Sequence, residues 1–177
     1  MRKFPWILCL LLVPSLGLAQ TRATKAGTAP APTTSYLTAT SQLTLQAALE
    51  MSARAQAKAA TLGKQVSVAV VDASGQTIVL LRGDGVGPHN TEAARRKAYT
   101  ALSTKTATLA LSRNARTNPD TQNLNTLPEL LLLSGGVPLL HNRQVIGGIG
   151  VAGGGSPDND DLIGKAAALP EAGITTL

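Results

Sequence analysis

With 177 residues, 44% of them hydrophobic and 15% charged, the chain has enough material for one domain with its own core and too little for two. Aromatic residues make up only 2%, which leaves no stacking platform for single-stranded nucleic acid. The formal charge of +6 comes from basic residues that are scattered and not striped, so composition supports neither a disordered chain nor a nucleic-acid binder.

The N-terminus carries the three-part pattern of a secretory signal. Arg2 and Lys3 are followed by the apolar run Trp6 to Val13 and then by the small-residue stretch Pro14 to Ala19. Cleavage is expected after Ala19, and the run is too short to span a bilayer. Loss of Arg2 and Lys3 lowers the charge from +6 to +4. Cys9 lies inside the run, so the exported chain is expected to hold no disulfide, thiolate nucleophile or thiolate metal ligand. The periplasm or the cell exterior is the expected destination. Residues 20–40, rich in Thr, Ala, Pro and Ser, read as a flexible tether before a single domain at 41–177.

Thr44 is placed to cap a first helix whose apolar stripe runs Leu45, Ala48, Leu49, Ser52, Ala55, Ala59 and Leu62, with Gly63 at its C′ position. Strands near Gln65–Asp72 and Gln76–Arg82 flank Asp72-Ala73-Ser74-Gly75, which has hairpin chemistry. A polar glycine-rich loop carrying His89 leads to a second helix over Glu92–Ser103, with Lys105–Arg113 continuing or kinking away. Asn114–Thr126 reads as loop, and Glu129–Leu133 as a short apolar segment. A second hairpin joins Val137–Leu140 to Gln144–Val151 through His141-Asn142-Arg143. Ser156-Pro157-Asp158 opens a last helix reaching about Leu169. Hairpins without crossovers imply a mainly antiparallel sheet covered by helices.

Gly148-Ile149-Gly150-Val151-Ala152-Gly153 matches the dinucleotide fingerprint in letters only. Its first glycines sit within an alternating strand, and no strand–helix–strand unit surrounds them. Gly153-Gly154-Gly155-Ser156 precedes a helix N-terminus, but Asp158, Asp160 and Asp161 work against an anion there. His141 reads as an exposed turn residue and Met51 as core. No serine sits in a nucleophile elbow, and no spacing suggests zinc. The residues alone indicate no catalysis. His89, beside a helix bearing Arg95, Arg96, Lys97 and Tyr99, reads either as a polar residue near the helix start or as a ligand.

Taken together, Val66–Asp72 with Ser74-Gly75, Arg82, Asp84-Gly85, Arg96-Lys97-Ala98-Tyr99-Thr100-Ala101, Gly135-Gly136-Val137-Pro138 and Val145–Val151 with Gly153-Gly154 resemble the GlcG/HbpS-like haem-binding family. They are also similar to the C-terminal domain of PduO-type proteins. The resemblance covers about Leu43 to Leu169. It implies an α+β, profilin-like arrangement, with helices flanking a mainly antiparallel five-stranded sheet. It further implies a homo-oligomer and, for some members, bound haem. On that basis Arg95, Arg96, Lys97, Tyr99 and Thr100 are expected near haem, with His89 the candidate iron ligand. Basic side chains could pair with propionates. The expected function is an exported protein that sequesters, carries or senses haem without catalysis. The alternatives are an enzyme or accessory acting on a small organic acid, and a ligand-free structural oligomer.

Overall fold

A computed structural model describes Tyr36 and residues 38–177; the signal at 1–19 and most of the tether at 20–40 lie outside the described residues. The elements run α1 (Leu45–Thr61), β1 (Ser67–Asp72), β2 (Thr77–Arg82), α2 (Pro88–Thr104), α3 (Thr108–Thr117), α4 (Pro119–Gln122), a 3-10 turn (Asn123–Thr126), β3 (Gly136–His141), β4 (Gln144–Ala152), α5 (Pro157–Lys165), a second 3-10 turn (Pro170–Ala172) and β5 (Ile174–Thr176). Five strands form one sheet in the order β2-β1-β4-β3-β5. Every neighbouring pair is antiparallel, as the two hairpins require.

Local chemistry explains most boundaries. Thr44 Oγ1 accepts from the Ala47 amide at 3.1 Å and starts α1, while Gly63 follows its end at φ +63°. Asp72 Oδ1 accepts from the amides of Ser74 and Gln76, closing the first hairpin around Gly75 at φ +83°. Ser156 Oγ accepts from the Asn159 amide at the head of α5.

Three expectations are corrected, and the open reading after Lys105 resolves to a helix that breaks away. Pro88 serves as the first helical residue of α2, so the helix opens ahead of Glu92 and His89 lies in its first turn, not in a loop. Lys105 is left-handed at φ 53° and ends α2, so α3 is a separate helix. The polar stretch from Asn114 is not all loop: α3 runs to Thr117, and Asn118 then caps α4 through the Asp120 amide. The last helix stops at Lys165, before the expected Leu169.

The sheet has two unlike faces. Met51, Val68, Val70, Val137, Leu139, Ile149, Val151 and Ile163 fill a large core under α1 and α5. Ala69, Val71, Ala94, Ala98 and Ala152 form the thin second core beneath α2. On that side a Cβ on Gly148 would strike the Ala98 carbonyl, one on Gly150 the Ala94 carbonyl, and one on Gly136 the Lys97 carbonyl. Gly136 and Gly150 are cross-strand partners. These glycines let the α2 backbone rest directly on the sheet, which is the physical use of the repeat that resembled a dinucleotide fingerprint.

Candidate functional site

His89, Ala93 and Lys97 are spaced i, i+4, i+8 and so share one stripe of α2. They form one wall of a recess of about 440 Å³, closed by Leu133, Ser134, Gly153, Gly155, Ser156, Pro157 and Asp160. The volume lies within the roughly 300–1,000 Å³ usual for small-ligand pockets. Its lining is mostly apolar, with Leu133 left 53% exposed at the rim. His89 itself is exposed at the mouth, with its ring folded over Gly87.

The floor is polar and closed. Lys97 Nζ donates to Asp160 Oδ2 at 2.8 Å and to the Val151 carbonyl at 2.9 Å, and Asp160 Oδ1 accepts from the Gly154 amide at 2.7 Å. Lys97 is only 4% exposed. Burial pushes its ammonium below the ordinary lysine value, and the charge of Asp160 opposes that shift. The pair couples α2 to α5 and fixes the glycine-rich turn between β4 and α5.

The other candidate residues serve the walls. Arg96 donates to the Leu130 carbonyl at 2.7 Å, and Thr100 Oγ1 accepts from the Leu131 amide at 2.8 Å. Both fasten the irregular Leu130–Leu133 segment to α2 and so place Leu133 at the mouth. Arg95 pairs with Glu92 and Glu129, whose hydrogen bonds raise its pKa above the ordinary value. Tyr99 points elsewhere: it borders a separate depression of about 280 Å³ with Ser74, Gly75, Leu102 and Lys105. Thus His89 and Lys97 meet in the recess, while Arg95, Arg96, Tyr99 and Thr100 do not line it. Sequence reasoning missed Leu133, Ser134, Ser156 and Asp160 as lining residues. Only the acid-rich run Asp158-Asn159-Asp160-Asp161 offered a signal, since a helix start needs fewer carboxylates.

The residue types fit haem. An imidazole is among the side chains that ligate haem iron, as are thioether and phenolate. Among the described residues Met51 is fully buried in the core. The His141 ring engages the Gly173 carbonyl and Asn142 at the end of the second hairpin. Tyr99 faces the other depression, whereas His89 borders a largely apolar recess. Among the described residues no group of three or more His, Cys, Asp or Glu could hold a bare metal ion. No described helix is long and apolar enough to cross a membrane.

An antiparallel sheet between helices, with a histidine-rimmed recess at one helix start, defines an α+β domain suited to a small, mostly apolar ligand. The chain belongs to the HbpS-like family: the model described as "Haem degrading protein HbpS-like" matches residues 43–169. It is similar to the crystal structure of HbpS, at 42% identity and TM-score 0.69, over 75% of this chain and 92% of that one. It is also similar to PduOC, solved as a heme complex, at 28% identity and TM-score 0.65, over 77% of this chain and 98% of that one. A 15.0 kDa protein of Citrobacter freundii, from the dhaT-dhaS intergenic region, is 29% identical over 71% of this chain and 89% of its own length.

Proposed function

We propose that this protein is exported and binds haem in the α2 recess, sequestering, carrying or sensing it without turnover of its own. The observation that carries the proposal is the stripe of His89, Ala93 and Lys97 along a largely apolar recess, in a fold shared with a protein solved with heme. His89 would supply an imidazole to hold the iron. Ala93, Leu133 and Pro157 would shield the ring from water, and the Lys97–Asp160 pair would keep the floor rigid. When bound, haem supplies an iron centre able to exchange electrons or meet oxygen. Export is supported by Arg2, Lys3 and the apolar run that follows them. The family resemblance supports a homo-oligomer, which sizing of the secreted domain checks.

Titration of the purified domain with hemin tests the proposal: a saturable shift of the Soret band is expected, and its absence overturns the binding role. Turnover is tested on the loaded protein with a reductant and oxygen. The Soret band should persist; steady bleaching with release of iron would instead make the chain a haem-degrading enzyme.

A further inference from the structure

We propose that Lys64, just beyond the end of α1, is the residue that anchors a carboxylate of the ligand at the recess mouth. This deepens the haem reading and rests on the same recess.

The cations first expected to meet propionates are paired or lie outside the recess. Lys97 is held by Asp160 and the Val151 carbonyl and Arg95 by two glutamates, while Arg96, with its Nε buried and unpartnered, donates to the Leu130 carbonyl away from the recess lining. Lys64 is exposed, and among the described residues no carboxylate stands within ion-pair reach of it. Its side chain crosses the rim glycine of the recess: Cε and Nζ lie 3.2 and 3.3 Å from the point a Cβ on Gly155 would occupy. Gly155 has φ +85° and lines the recess, and its bare backbone leaves room for the Lys64 ammonium beside it, one residue from the lining.

The local field favours this role. Each acid that follows in α5 is neutralised by a cation from elsewhere in the fold or one turn on. Asp158 pairs with Arg113, Asp160 with Lys97 and Asp161 with Lys165. The objection that these carboxylates repel an anion is thereby removed, and Lys64 stands as an uncompensated positive charge beside an apolar hollow. A ligand with a flat apolar body and a carboxylate edge matches that pairing of surfaces. A carboxylate could belong to haem or to a small organic acid, and the test separates the two sources.

The probes are hemin, hemin dimethyl ester, in which both carboxylates are blocked, and sodium glycolate. They are applied to the secreted domain and to Lys64→Gln, Lys64→Arg and Arg143→Gln. Arg143 lies at the turn that opens β4, whereas Gly155 lies past the other end of that strand, so Arg143→Gln controls for net charge. The unaltered protein should bind hemin about fivefold tighter than the ester, the upper range for an exposed ion pair. Lys64→Gln should erase that preference while binding the ester as before. Lys64→Arg and Arg143→Gln should keep it. A preference that survives in Lys64→Gln overturns the role of Lys64 and leaves the haem reading standing. If neither porphyrin binds the unaltered protein, the haem reading fails. The carboxylate role then stands only if glycolate raises the melting temperature and Lys64→Gln abolishes that rise; without such a rise it fails as well.

Discussion

The two faces of the sheet are built on opposite plans. Beneath α1 and α5 the strands offer Val, Leu and Ile, and large side chains interlock over a deep core. Beneath α2 they offer Gly and Ala, and backbone lies on backbone. A face of the first kind derives its strength from volume and tolerates trimming only at the expense of a cavity. A face of the second kind holds its helix at a fixed height, so residues projecting from that helix have fixed positions. The recess lies on the second face, at the end of α2 where His89 emerges. Rigid placement of His89 and Lys97 comes from small residues that lie outside the recess lining.

Substitutions that act on one face should differ from those on the other in size and in kind. The largest loss is expected where α2 meets α5. Asp160→Ala leaves Lys97 buried without its carboxylate and should cost about 3–5 kcal/mol in chemical denaturation. Replacing both partners together, Lys97→Met with Asp160→Leu, should cost markedly less. On β4, Ile149 and Gly150 are neighbours facing opposite ways. Ile149→Ala empties the deep core and should cost about 3 kcal/mol with the recess intact. Gly150→Ala adds a single methyl against the Ala94 carbonyl and should cost about 2 kcal/mol or more. By lifting α2 it should also weaken hemin binding, which Ile149→Ala should not. An equal effect of the two on binding would contradict the division of labour between faces.

Smaller effects follow at exposed sites. Thr44→Ala removes the α1 cap and should cost about 1 kcal/mol without touching hemin affinity. The pKa of Glu92 is lowered from 4.5, chiefly by its hydrogen bond to Arg95. Its contribution is present above the unfolded value and is lost as pH falls through the folded one. Because the carboxylate is 57% exposed, Glu92→Gln should change acid stability by only a few tenths of a kcal/mol.

Local chemistry made much of the fold legible in the sequence. Thr44, Gly63, Asp72 and Ser156-Pro157 each mark a boundary through contacts within a few residues, so they can be seen without the tertiary fold. The start of α2 was misplaced because Pro88 reads equally well as the end of a loop and as a first helical residue. β5, three residues long, carries too little periodicity to register alone. His89 stood out by its rarity, and its stripe with Lys97 follows from helical spacing. What the sequence hid lies far apart in the chain: Lys97 meets Asp160 across 63 positions, and Thr100 meets Leu131 across 31. Such pairs follow from strand order, and strand order is not written in any short window.

The most direct test compares His89→Ala with His141→Ala in the hemin-loaded domain by electronic absorption and electron paramagnetic resonance. His89→Ala should change the ferric spectrum and weaken hemin binding, while His141→Ala should match the unaltered protein. Identical spectra and affinities for all three would contradict the assignment of the α2 recess as the haem site.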